Sequence, residues 1–291
     1  MGKITDLLGR PLAISIELWP PRSPKAEEHL EAALVELLEL RPAFTSITYG
    51  AGGSTRDRTH ELVVQLQAEG RTVPMAHLVC AAHTRAELHD ILVRYRDAGI
   101  ENVLALRGDV PLGSEEELTP GELTYAIELA RLAKEVGDFC VAVAAHPGGH
   151  PDSASLEEDL DHLARKLGSA DFAITQFLFR SDDYRRLRDG LASRGVTKPL
   201  VPGIQPITNP RSVARMSEMS GHPVPPEVAD RVAAAGDDPA EVRKIGVEMA
   251  TSLCEELVAD GVPGLHFYTM NQSAATIEIC ANLGIRPGAP R

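Results

Sequence analysis

Apolar residues fall along this chain in two alternating textures. Short unbroken apolar runs, rich in branched side chains, are each followed by a longer stretch whose apolar positions recur three and four residues apart. The runs predict strands over 13–17, 44–48, 74–78, 102–106, 140–145, 172–177, 200–203 and 265–268. The longer stretches predict helices over 24–40, 55–69, 85–98, 121–136, 155–167, 182–193, 211–219, 226–235, 239–260 and 271–282. In the first of these Leu30, Leu34, Leu37 and Leu38 share one face, and in the second Leu62, Val63 and Leu66 do. A Pro-rich turn over 221–226 separates two of the later helices, and no low-complexity linker breaks the order. Strands that alternate with helices pair in parallel, and eight repeats favour a closed (β/α)8 TIM barrel. The expected organisation is therefore α/β, with one catalytic barrel domain over 1–291 and no further regulatory domain. An open doubly wound sheet is the alternative. It would carry a Gly-rich cradle after its first strand, where this chain has Leu18-Trp19-Pro20-Pro21.

Barrel enzymes place their chemistry where strands end. The first strand ends in Glu17, flanked by Ile16, Leu18 and Trp19, so partial desolvation should raise its pKa and suit it to general-acid work. A Glu paired to a barrel Arg is the plainer alternative. The second strand runs into Thr48-Tyr49-Gly50-Ala51-Gly52-Gly53, which lacks the third glycine of a dinucleotide fingerprint but lets a flat ligand approach the backbone. His77 ends the third strand, where a lone His is more often structural. The fourth delivers Arg107-Gly108-Asp109, either a site or a turn closed by an Arg–Asp ion pair. His146 and His150 follow the fifth strand amid prolines and glycines that exclude a metal-binding helix, so a ligand-lining loop is expected and no metal. Gln176 on the sixth strand needs partners for both ends of its amide. The seventh contributes Gln205, and the eighth Tyr268, Asn271 and Gln272.

Composition narrows the field. Lys plus Arg total 29 against 42 Asp plus Glu, and a net charge of −13 would repel nucleic acid or an anionic membrane. Cys80, Cys140, Cys254 and Cys280 are too scattered for a disulfide framework or a zinc ribbon. No signal peptide opens the chain, and no apolar run nears the ~18 residues of a membrane span. A cytoplasmic enzyme acting on a small molecule is expected. No strand ends in a lysine, which disfavours Schiff-base chemistry. Polar groups suited to a flat heterocycle, beside one desolvated acid, point to redox or group transfer on a bound cofactor.

At these same positions the chain resembles the methylenetetrahydrofolate reductase family, from about Ile14 to Pro287. The likeness rests on Glu17 before Pro20-Pro21, Thr48-Tyr49-Gly50, Arg56 through His60, and Ala105-Leu106-Arg107-Gly108-Asp109. It continues in His146-Pro147 with His150-Pro151, in Ile174-Thr175-Gln176-Phe177 and in His266-Phe267-Tyr268-Thr269. The resemblance implies reduction of 5,10-methylenetetrahydrofolate to 5-methyltetrahydrofolate, with hydride passing from NADH or NADPH to FAD and then to the folate. Carried over, Glu17 is the general acid, Asp109 holds the pterin and adjusts the flavin, and Gln176 bonds the pterin or the nicotinamide amide. The implied FAD contacts are Thr48, His77, Arg107, Gly108, Tyr125, Ala126, Ala144, His146, His150, Asp159, His162, Arg165 and Lys166. Met216, Tyr268 and Gln272 join the folate contacts. Homo-oligomers are common in such a family.

Departures gather in the cofactor and donor contacts. His146 stands for a Tyr, His162 for an Asn, Met216 for a stacking Phe, Ser212 for a Gln, Gln272 for an Arg, and Leu18-Trp19 for two aromatics. Retained FAD is the favoured expectation. Direct hydride transfer from NAD(P)H to folate, or a pterin-binding methyltransferase barrel, are the alternatives.

Overall fold

Each apolar run becomes a strand in the computed structural model, which describes residues 2–9, 12–50, 56–108, 120–209, 211–220, 224–236 and 238–286, less the side chains of 212, 214 and 218–220. The strands are β1 (Ala13–Leu18), β2 (Phe44–Ile47), β3 (Pro74–Val79), β4 (Asn102–Leu106), β5 (Cys140–Ala145), β6 (Phe172–Phe177), β7 (Leu200–Ile204) and β8 (Gly264–Tyr268). They pair in parallel in chain order, and β1 closes on β8 with Ser15 opposite His266 and Glu17 opposite Tyr268. Around this barrel lie α1 (Pro24–Leu38), α2 (Arg56–Glu69), α3 (Arg85–Asp97), α4 (Ala126–Val136), α5 (Leu156–Leu167), α6 (Ser181–Ala192), α7 (Arg211–Ser220), α8 (Pro226–Ala234), α9 (Pro239–Ala259) and α10 (Ala274–Asn282). The helices press their apolar stripes onto the outer faces of the strands, as Leu30, Leu34 and Leu37 of α1 do.

Alternation along each strand sends every second residue into the barrel. Phe44, Met75, Leu104, Ala142, Phe172, Ile174 and Val201 form one buried interior cluster. Ile4, on a short 3-10 turn (Ile4–Asp6), joins that cluster, and its N–H donates to Asn102 Oδ1 at 2.9 Å. The amino end of the barrel is thereby plugged, and the carboxyl end is left for chemistry. Each of the large apolar side chains so buried contributes about 1.5–3 kcal/mol.

Two helices start later than their periodicity suggests. The N–H groups of Thr124 and Tyr125 both donate to the Glu128 carboxylate at 2.8 Å, so α4 begins at Ala126 rather than near 121. Met270 and Asn271 both have left-handed backbone (φ 53° and 56°), so α10 begins at Ala274 rather than 271. Gly203 is required on β7: a Cβ there would lie 2.5 Å from the Tyr268 ring and 2.4 Å from Thr175 O. The β6–β7 register shifts beside it, between Ile174 and Phe177.

Candidate active site

The inward parity that carries Met75, Ala142 and Ile174 brings His77, Ala144 and Gln176 to the carboxyl rim. Glu17 and Tyr268 meet there, paired across β1 and β8. Glu17 is only 8 % exposed. Burial pushes its carboxyl up to about 7, partly offset by the Trp19 indole N–H, which donates to Oε1 at 3.3 Å. Its other oxygen, Oε2, lies 3.8 Å from His77 Nε2, an atom with no hydrogen-bond partner among the described residues. Burial drives the His77 imidazole down to about 3, so the pair is no ordinary salt bridge. No Arg or Lys among the described residues is ion-paired to this carboxylate, and the plain Glu–Arg alternative is set aside.

Below Glu17 the barrel is polar but satisfied. His266 is bonded through Nδ1 to Ser15 Oγ at 2.9 Å and through Nε2 to Ser46 Oγ at 3.4 Å, and it stacks on Phe44. Burial drives it down to about 3. Thr269 Oγ1 donates to Glu17 O at 2.7 Å, and Tyr268 Oη donates to Thr175 O at 2.7 Å. Trp19 is gripped by Asn271, whose Oδ1 accepts from Trp19 N at 2.8 Å while its Nδ2 donates to Trp19 O at 2.9 Å. Gln176 turns its Oε1 to the N–H of Phe177 at 3.0 Å.

A second group of side chains, cationic in an acidic protein, gathers after β4 and β5. Ala81 N–H donates to Arg107 O at 3.0 Å, holding the chain as it leaves β4. Gly108 follows with φ 98°, and a Cβ there would strike the Ala81 Cβ at 2.9 Å. Arg107 Nη1 donates to Asp152 at 2.5 Å, while its buried Nε has no partner among the described residues. The hydrogen bond from Arg107 holds the Asp152 carboxyl below the usual range. Lys166 Nζ donates to Ala144 O at 2.6 Å, and burial lowers its pKa to about 8 against the opposing pull of Asp159. His150 packs edge-on against His146 with centroids 4.8 Å apart, and burial followed by the charge of Arg107 lowers its pKa.

Together these features describe a protected acid next to a cationic cradle at one mouth of a barrel. The chain matches the family model for methylenetetrahydrofolate reductase over residues 3–284. It is 38% identical over 277 residues to the 5,10-methylenetetrahydrofolate reductase of Escherichia coli (strain K12), covering 94% of this chain and 92% of that protein. The Pectobacterium carotovorum subsp. carotovorum enzyme of the same name is 35% identical over 290 residues, 99% of this chain and 95% of that one. The chain belongs to the methylenetetrahydrofolate reductase family. A solved Clostridium thermocellum protein described as binding two copies of 5-methyl-5,6,7,8-tetrahydrofolic acid superposes with a TM-score of 0.70 over 98% of this chain and 96% of that one. At 15% identity it speaks for the fold alone.

The residues singled out from the sequence divide into groups. Glu17, His77, Gln176 and Tyr268 share the rim, while Arg107, Gly108, Ala144, His146, His150, Asp159 and Lys166 gather in the cradle and its supports. Thr48 sits just past β2, its carbonyl accepting from Thr59 Oγ1 at 2.8 Å. Tyr125 and Ala126 open α4, the former 62% exposed. His162, Arg165 and Gln272 lie exposed, with Arg165 Nε bonded to its own helix at Asp161 O. Met216 is buried in an apolar cluster that includes Phe177 and Val228 and packs against Tyr268. Asp109 lies outside the described residues, as does the 51–55 half of the Gly-rich loop, and nothing is described of the Ser212 side chain. Among the described residues Arg107 is ion-paired to Asp152; the alternative of a turn closed by an Arg107–Asp109 pair falls on a residue outside them. Sequence reasoning passed over Trp19 as a donor, Asn271 as a clamp and Asp152. Only Trp19 carried a signal, a donor-bearing ring two residues from a buried acid.

Proposed function

We propose that this protein reduces 5,10-methylenetetrahydrofolate to 5-methyltetrahydrofolate at the expense of NADH or NADPH, with FAD as hydride carrier and Glu17 as general acid. Membership of the reductase family supports the reaction. The observation that carries the mechanism is the buried Glu17 carboxyl, held near pH 7 without a cation beside it. Such a group is about half protonated at pH 7 and more so below it, and can release its proton to a leaving nitrogen. Protonation of the folate nitrogen opens the five-membered ring as its C–N bond breaks, and the resulting iminium carbon accepts the hydride. Gln176 and Tyr268 line the same rim and orient the pterin, and His77, neutral beside Glu17, leaves the acid its proton.

The residues present fit an anionic dinucleotide cofactor. Arg107 has a buried Nε without a partner among the described residues, Lys166 is a half-buried cation bonded to the Ala144 carbonyl, and the left-handed Gly108 allows close approach. Arg107, His150 and Lys166 would hold the diphosphate, with Thr48, His77 and Ala144 along the ring. When bound, FAD supplies a two-electron relay between nicotinamide and folate. One observation favours the second reading, direct transfer from nicotinamide: Arg107 is already neutralised by Asp152. A cytoplasmic setting accords with either course, and among the described residues no helix is long and apolar enough to cross a membrane.

The test is the absorbance of the purified protein together with NAD(P)H oxidation in the presence of methylenetetrahydrofolate. Flavin bands, or activity restored by added FAD, support the relay. Full activity in flavin-free protein supports direct transfer. No folate-dependent oxidation of NAD(P)H under any condition refutes the reaction.

A further inference from the structure

Glu17 has two oxygens in different surroundings, and the difference rests on one side chain. Trp19 is the sole tryptophan of the chain, and its indole N–H is aimed at Oε1 from 3.3 Å. An indole nitrogen donates and cannot accept. The oxygen it faces accepts in both protonation states, and because a carbonyl oxygen accepts better than a hydroxyl, the contact favours the acid proton on Oε2, on the His77 side. The ring has little freedom to leave. Both backbone groups of Trp19 are pinned by the Asn271 amide, just after a left-handed Met270, a conformation that a methionine adopts only where its surroundings hold it. From α7 the Arg215 guanidinium lies 5.8 Å from the ring centroid, a cation–π contact on the indole.

We propose that Trp19 is a positioning residue for Glu17: its indole N–H favours Oε2 as the proton-bearing oxygen and sets the pH at which the acid is spent. The inference rests on Glu17 being the proton donor and adds what governs that donor. The described titratable and charged groups facing the pair are His77 on β3, His266 and Tyr268 on β8, and Arg215 on α7. Burial keeps both imidazoles neutral down to about 3 and raises the Tyr268 phenol, while a guanidinium does not deprotonate in proteins. In the neutral range Glu17 is thus the group of this set that changes charge beside the indole.

A lone tryptophan next to the acid makes the titration visible without turnover. Intrinsic fluorescence of the whole protein should shift with a midpoint near 7, and Glu17→Gln should abolish that step. In the Trp19→Phe variant, which keeps a ring and loses the donor, the alkaline limb of kcat/KM should move to higher pH by about 0.5–1 unit, because the ionised carboxyl loses a hydrogen bond. A wild-type fluorescence with no step near 7, a step that survives in Glu17→Gln, or a Trp19→Phe limb superimposed on the wild-type limb would each overturn the proposal. Should Trp19→Phe not fold, the fluorescence pair decides alone. Failure of Glu17 as proton donor would appear separately, as a Glu17→Gln enzyme that still reduces folate while the fluorescence step is present in wild type.

Discussion

Glu17 Oε2 and His77 Nε2 lie 3.8 Å apart at the barrel mouth, and both groups are neutral between about pH 3 and about pH 7. Desolvation acts on the two in opposite directions, raising the acid and lowering the base, because it penalises whichever form is charged. An ion pair at this spot would have fixed Glu17 as a carboxylate and removed its proton. The neutral pair keeps it.

The raised acid has a cost in stability at high pH. A carboxyl whose folded pKa exceeds its unfolded value contributes stability that is full below about 4.5 and is lost as pH rises through about 7. The Glu17→Gln protein without ligands should therefore match the wild type near the lower value and exceed it above the upper one by on the order of 3 kcal/mol. Urea unfolding across that window measures the difference, and a difference independent of pH would count against the raised pKa.

His77 works the other way. Its folded pKa is depressed to about 3, so the stability it contributes is full above about 6.5 and is lost as pH falls toward 3. The His77→Gln variant should lose less stability on acidification than the wild type, by a few kcal/mol at the acid end. Chemical unfolding at successive acid pH values tests this, with equal acid slopes as the contrary result.

The close approach at Gly203 makes a packing prediction. Gly203→Ala places a methyl against the Tyr268 ring and Thr175 O, and should cost about 1–3 kcal/mol in stability. It should also raise KM for the folate, since Tyr268 must shift. Thermal unfolding together with steady-state kinetics would show both effects.

Asp152 competes for the guanidinium that the cofactor diphosphate would use. Asp152→Asn should increase FAD affinity, and Arg107→Gln should decrease it, each by about tenfold or less, the worth of a partly exposed charge-assisted bond. Flavin titration of the stripped protein measures both. Unchanged affinity in the two variants would remove Arg107 from the cofactor site.

Much of this was legible in the chain. Eight apolar runs at barrel spacing predicted the topology, because parallel strands buried on both faces must be apolar throughout. The flanks Ile16 and Leu18, both fully buried, announced the desolvation of Glu17. What escaped depends on contacts between distant residues. Asn271 lies 252 residues from the Trp19 it clamps, and Asp152 lies 45 residues from Arg107. Local pattern carries no trace of either. Helical periodicity likewise began at Asn271, which is left-handed here and follows a left-handed Met270, so the helix starts only at Ala274. Met216, a folate contact by the resemblance, lies in a satellite core that packs against Tyr268, a position that apolar spacing on α7 does not reveal.

The central claim is that a neutral, buried Glu17 supplies the proton that opens the folate ring. Its most direct test is the pH dependence of kcat/KM for methylenetetrahydrofolate reduction in the wild type and in Glu17→Gln. The account predicts a wild-type rate that declines tenfold per unit above about pH 7, and a Glu17→Gln enzyme slower by about 100- to 10,000-fold with that limb gone. A wild-type profile flat across neutral pH, or a Glu17→Gln enzyme within a few-fold of wild type, would contradict it.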